Sequence, residues 1–266
     1  LELLNISDAP VALIGMRFTE GVEFDFNNSP LILLGPGERA LLVRDRVAFE
    51  HRYGVEFSDR IIGEFAGDTG LSNGGERLTL SALGGGAVRD FAYDDRAPWP
   101  TAPDGGGYSL VLIDPASSPD HGVAANWRSS SAAGGTPGRD DTLSYGGWAA
   151  PFGDPAPDSD LDGDGLVALL EFASAGDPTV ADGGSELAGV RSAADGSITV
   201  SFRRNLGAGG VTFELETSED LRSWSPDGGH WEYAGEDNLG DGTAMLSFLS
   251  SGANTPRYVR QRIRVN

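Results

Sequence analysis

The chain has 266 residues, of which 39% are hydrophobic, with 39 Gly, 15 Pro, 40 acidic residues against 19 basic ones and a net charge of −21. No apolar stretch approaches the roughly 18 residues of a membrane-spanning helix, and the acidic balance argues against the cationic patches that hold nucleic acid or anionic membrane surfaces. The length allows one to three domains, and the Gly and Pro content favours short strands and turns over long helices.

Every basic residue is Arg; Lys and Cys are absent. Arg in place of Lys also follows from GC-rich coding alone. A secreted chain without disulfides needs another staple, and bound calcium is one; a cytosolic chain can equally lack Cys. The strong negative charge fits a salty or calcium-rich exterior that screens it.

The chain opens at Leu1-Glu2-Leu3-Leu4, already strand-like and without Met, and is expected to be a mature or partial piece of something longer. Asp45 can cap a short helix in which Phe49 and Tyr53 stand four apart and which Gly54 ends. Ser72-Asn73-Gly74-Gly75 is a turn. Arg77 to Leu83 alternates, placing Leu78, Leu80 and Ala82 inward; Gly84-Gly85-Gly86 turns the chain and Ala87 to Tyr93 returns as a second strand. Tyr108 to Ile113 is apolar on both faces, which predicts a central strand. Residues 1–138 therefore read as mainly β.

Residues 139–157, rich in Gly, Pro and Asp, read as a linker. Residues 139–184 hold 10 acids and one Arg, a net charge equal to that of the whole of residues 1–138, with 19 acids and 10 Arg. Without cations such a segment repels itself.

Within residues 158–184 lies Asp160-Leu161-Asp162-Gly163-Asp164-Gly165-Leu166-Val167-Ala168-Leu169-Leu170-Glu171. It fits the Asp-x-Asp-x-Asp-Gly-x5-Glu calcium loop at every fixed position. Hard cations take six to eight oxygens, which alternate acids on a tight loop supply. Asp160, Asp162 and Asp164 offer carboxylates, Leu166 its backbone carbonyl, and Glu171 a closing carboxylate. Ala168 has no side-chain oxygen, so water fills that direction. Gly165 sits at the sharp turn. Upstream, Ala150-Pro151-Phe152-Gly153-Asp154-Pro155-Ala156-Pro157 is expected to be non-helical. Downstream, Leu166 to Ala175 predicts a short helix with Leu169, Phe172 and Ala173 on one face, stopped by Gly176 and Asp177-Pro178. One loop with one helix, and no partner hand, suits a structural clamp at a hinge better than a sensor, with affinity on the order of 0.1–1 mM.

Residues 185–266, with 11 acids and 8 Arg, return to β. Ile198, Val200 and Phe202 alternate with Thr199 and Ser201, and Phe213 and Leu215 with Glu214 and Glu216. The last strand sets Val259, Gln261, Ile263 and Val265 against Tyr258, Arg260, Arg262 and Arg264. This is the pattern of a small sandwich.

Several stretches resemble bacterial lamin-tail domains: Leu1-Glu2-Leu3-Leu4-Asn5-Ile6-Ser7-Asp8, then Pro10-Val11-Ala12-Leu13-Ile14-Gly15, with Met16 where that family has Trp. Leu34-Gly35-Pro36-Gly37-Glu38, Leu71 to Glu76, Tyr93 to Pro100, Asn126-Trp127-Arg128 and Gly134-Gly135-Thr136-Pro137-Gly138 also match. The resemblance covers residues 1–138 and implies an immunoglobulin-like sandwich. The loop segment is similar to thrombospondin type 3 and dockerin half-hands of secreted bacterial proteins. Lamin-tail regions of this kind often sit C-terminally in large secreted proteins, some with a CotH-type kinase-like domain upstream.

Catalytic signatures do not emerge. His51, His121 and His230 are far apart in sequence, and no nucleophile elbow, zinc-protease helix or phosphate-binding loop is present. The acid pairs Asp94-Asp95 and Asp140-Asp141 read as turn and surface residues, although paired carboxylates can cleave glycosides. Trp99, Trp127, Trp148, Trp224 and Trp231 read as core or loop anchors, or alternatively as a sugar platform. Arg260, Arg262 and Arg264 read as cross-strand partners of Glu214 and Glu216, or alternatively as a strip docking another copy.

The expectation is an all-β chain: a lamin-tail-like sandwich at 1–138, a linker at 139–157, a calcium loop with helix at 158–184 and a second sandwich at 185–266. It is expected to be non-catalytic in this segment, to bind Ca2+ through Asp160, Asp162, Asp164, Leu166 and Glu171, and to be secreted or at the cell surface in adhesion or assembly. A homo-oligomer or surface polymer and a glycan are the expected partners, with no nucleic acid and no membrane insertion. Self-assembly into a filament or layer and a carbohydrate-binding accessory role are the alternatives.

Overall fold

The computed structural model describes residues 1–184, 186–250 and 258–265. Strand, at 35%, outweighs helix, at 14%, so the chain is predominantly β. No described helix is long and apolar enough to cross a membrane. The chain forms two compact units, Leu1–Asp141 and Thr142–Asn266.

In the first unit, Arg39–Val43 is the middle strand of a three-stranded sheet, antiparallel to Glu2–Leu4 and parallel to Ile61–Glu64. Its side chains alternate between two apolar environments. Ala40 and Leu42 face the main core with Leu13, Phe18, Val22, Phe26, Leu34, Ile62, Leu78 and Leu80. Leu41 and Val43 face a second cluster with Phe57 and Ile61, covered by Phe49 and Tyr53. Each fully buried large side chain contributes about 1.5–3 kcal/mol.

Phe49 and Tyr53 sit on helix α1, Arg46–Tyr53, with ring centroids 4.7 Å apart. The Asp45 carboxylate accepts the Ala48 N–H at 2.9 Å and caps the helix; Gly54 ends it at φ 90°. The hairpin Glu76–Ser81 with Ala87–Tyr93 also forms where alternation places it, burying Leu78 and Leu80. Tyr108 to Ile113 departs from expectation. Only Leu110–Leu112 is a strand; it pairs with Trp127–Ser129 alone and is half-buried, so it is not central.

The first unit ends on a buried ion pair. Arg128 and Asp141 side chains are each 5% exposed and hydrogen-bonded to one another, and Arg128 also donates to the Asp141 carbonyl. Ser131 N–H, Ser131 Oγ and Thr136 Oγ1 complete the carboxylate at 2.9–3.0 Å.

In the second unit, Ala188–Ser192, Ile198–Asn205, Thr243–Ser250 and Trp231–Asn238 form an antiparallel sheet in that order. Ser225–Pro226, Val211–Ser218 and Tyr258–Val265 form another. Direct pairing puts Val200 opposite Phe248, and Phe202 opposite Leu246, on one apolar face of the first sheet. In the second sheet, Phe213 lies opposite Ile263 and Val211 opposite Val265. On its other face Glu216, 3% exposed, accepts from Arg260 at 2.6 Å and Arg262 at 2.8 Å, and Arg264 pairs with Glu214 at 3.1 Å. Each arginine of the strip thus pairs with a glutamate of the adjacent strand.

The stretch 139–157 is divided between the units. Arg139 to Asp141 belong to the first. In the second, Tyr145–Ala149 is helix α2, and Ala150–Phe152 continues as a 3-10 turn. This corrects the expectation of a non-helical run from Ala150: Pro151 lies at the start of the 3-10 turn, where its fixed φ suits the helical conformation. Gly153 to Pro157 is non-helical.

Two outcomes are expected. Asp141→Ala leaves the Arg128 charge buried without a partner, and should cost about 3–5 kcal/mol, read as faster hydrogen exchange in strands 39–43 and 61–64; unchanged exchange contradicts this. The Arg262 and Arg260 hydrogen bonds hold the Glu216 carboxyl below its ordinary range. A depressed folded pKa stabilises above the unfolded value of about 4.3 and is lost as pH falls through the folded one. Wild type should therefore lose stability to acid from about pH 5 downward more steeply than Glu216→Gln, whose thermal midpoint should be the flatter function of pH.

Candidate metal centre

Helix α3, Ala168–Ser174, fixes one side of the centre. Ala168, Phe172 and Ala173 are fully buried. Tyr145 and Trp148 of α2 each lie 5.6 Å from the Phe172 ring, and Asn205 Nδ2 donates to the Phe172 carbonyl at 3.0 Å. The helix starts later than the expected Leu166 because Val167 is extended, at φ −84° and ψ 149°. It ends on left-handed Ala175 at φ 65°, one residue before Gly176. Gly176 serves close approach instead: a Cβ there would meet the Glu171 Cβ at 3.1 Å.

The loop before α3 closes through Ala168 N–H to the Ser159 carbonyl at 2.8 Å and Leu169 N–H to the Pro157 carbonyl at 3.0 Å. Inside it, acids fold the backbone around themselves. Asp160 accepts Gly163 N–H at 2.8 Å and Gly165 N–H at 3.0 Å. Asp162 accepts Asp164 N–H at 3.2 Å, and Asp164 accepts Leu166 N–H at 2.8 Å. Gly163 and Gly165 take φ 80° and 95°, which side chains rarely adopt. Carboxylate oxygens of Asp160, Asp162 and Asp164 converge within 4.8 Å of one another.

Glu171 lies outside that tight trio but in its field. It is 3% exposed, and burial, then the charges of Asp162, Asp164, Asp182 and Asp160, push its carboxyl up to about 7. Among the described residues no hydrogen-bond donor or arginine meets its carboxylate. Asp162 Oδ2 is likewise buried without a partner. The Leu166 carbonyl accepts none of the loop's hydrogen bonds. Four acids and one carbonyl are an all-oxygen set suited to a hard divalent cation; with no His or Cys, it does not suit zinc or copper.

The sequence pattern missed Asp182. Its N–H and that of Gly183 donate to Asp164 Oδ2 at 3.1 and 2.8 Å. The available signal was an acid followed by two glycines shortly after the helix stop.

Other singled-out residues have structural partners. Trp99 and Trp231 are buried, Trp127 stacks on Phe91, Trp148 packs on Phe152 and Phe172, and Arg260 covers Trp224 at 4.2 Å. None of the five presents an exposed platform. His121 lies against Phe91 and Trp127, His230 beside Asp227, and His51 on the exposed side of α1. Asp140 pairs with Arg39 at 2.5 Å, and Asp94 accepts the Arg96 N–H at 3.0 Å. No protein-family model, curated protein or solved structure matches the chain.

In a calcium chelator above about pH 7, Glu171→Gln should stabilise the second unit by about 1–3 kcal/mol, because it removes a charge held in a largely buried place beside like charges. A lower thermal midpoint for the variant under chelation contradicts this.

Proposed function

We propose that this chain is a calcium-stabilised, non-catalytic module of a secreted or cell-surface protein, serving adhesion or assembly. The observation that carries the calcium reading is Glu171: a buried carboxylate with no partner, held beside three converging aspartates. Proteins rarely bury an acid among acids unless a cation sits with them. Asp160, Asp162 and Asp164 supply three carboxylates, the Leu166 carbonyl a fourth oxygen, and Glu171 a closing pair.

Because the loop and α3 lie within the second unit, calcium acts there as the staple that a chain without cysteine otherwise lacks. The lamin-tail motifs of residues 1–138 support an immunoglobulin-like class for the first unit. The net charge of −21 and the millimolar affinity expected of such unpaired loops support a calcium-rich exterior.

With a dissociation constant on the order of 0.1–1 mM, about 5 mM calcium should add about 1–2 kcal/mol, a rise of roughly 3–10 °C in the second unit's thermal midpoint. Magnesium should do less, since it gives up its waters reluctantly. Asp160→Ala should abolish the calcium effect. A wild-type midpoint that is the same in calcium and in chelator refutes the reading.

A further inference from the structure

The segment after α3 folds back onto the loop. Ala175 turns the chain, Pro178 is fully buried, and the Asp177 carboxylate accepts from Thr179 N–H at 3.0 Å and Thr179 Oγ1 at 2.7 Å. The chain then delivers Asp182 and Gly183 N–H groups to Asp164 Oδ2. Gly184, at φ 60°, packs so closely on Leu166 that a Cβ there would come within 3.0 Å of that side chain. Two backbone donors and one apolar contact therefore hold Asp182 at the edge of the acidic trio. Asp182 Oδ1 accepts Gly184 N–H at 3.0 Å; Oδ2 has no partner among the described residues.

Asp182 is itself exposed, at the edge of an acidic neighbourhood whose repulsion a cation would relieve. Asp182 adds a fifth negative charge to a neighbourhood that already contains the buried, unpartnered Glu171 carboxylate and the buried, unpartnered Asp162 Oδ2. Three aspartates, the Leu166 carbonyl and a bidentate Glu171 give six oxygens, the lower limit for calcium, and Ala168 contributes none from its side chain.

We propose that Asp182 is the fifth carboxylate of the metal centre, reaching the cation directly or through one water, so that calcium fastens residues 182–184 to the loop. The inference rests on the calcium reading of that loop. It makes the site span both ends of α3, so that the cation ties the chain entering the helix to the chain leaving it.

The test uses the full chain. Calcium binding is measured by calorimetry for wild type, Asp182→Ser and Asp195→Ser, with hydrogen exchange of residues 181–187 followed with calcium and with chelator. Serine keeps a short oxygen for the following turn and removes the carboxylate. Asp195 is an exposed turn acid whose loss makes the same change in net charge. Asp182→Ser should weaken calcium binding roughly ten-fold and erase calcium-dependent protection of 181–187, while Asp195→Ser should do neither. If wild type binds and Asp182→Ser matches it, or both variants weaken binding equally, the assignment of Asp182 is overturned while the loop reading stands. If wild type takes up no calcium, the loop reading falls and this inference with it.

Discussion

The packing of helix α3 sets Glu171 among like charges. This residue precedes Phe172, whose ring is locked between Tyr145 and Trp148 and whose carbonyl is held by Asn205. Behind it, a side chain at Gly176 would press on the Glu171 Cβ at 3.1 Å. The hydrophobic demand of one residue thus fixes the position of the next, and the carboxylate is carried into a place of low dielectric beside like charges. The arrangement of the loop and of the returning segment 177–184 follows from that constraint. Each acid facing Glu171 accepts backbone N–H donors, Asp162 and Asp182 through one oxygen alone, and no arginine reaches the centre among the described residues.

The same chain shows two other ways of placing a buried acid. Asp141 is met by a guanidinium and three short donors, and Glu216 by two guanidinium groups from the adjacent strand. In both cases the positive partner comes from the protein. Among the described residues no guanidinium meets Glu171. That contrast between Glu171 and the two arginine-paired acids gives the acidic centre its chemical character.

Much of this was legible because the signals were local. Asp45, Phe49, Tyr53 and Gly54 specify α1 by capping and i,i+4 spacing, and alternation with three glycines specifies the hairpin around residue 84. The spacing of Asp160, Asp162 and Asp164 brings their oxygens together because each folds the next turn of backbone about itself. What stayed hidden depended on tertiary contacts. Apolarity at Tyr108 to Ile113 did not show that only one short strand would pair with it. Gly, Pro and Asp in 139–157 suggested a spacer, yet Tyr145 and Trp148 supply the aromatic bed of α3. Asp182 falls outside the loop pattern because its place is set by a chain reversal, for which periodicity has no signature.

The pair of Arg128 and Asp141 has a mechanical meaning. Asp141 is the last residue of the first unit, and the guanidinium grips both its side chain and its carbonyl. Unzipping that starts from the chain beyond residue 141 meets a forked anchor before it reaches any strand of the sheet. The trailing end of the unit that holds strands Glu2–Leu4 and Arg39–Val43 is thus closed by a knot of charge instead of by further secondary structure.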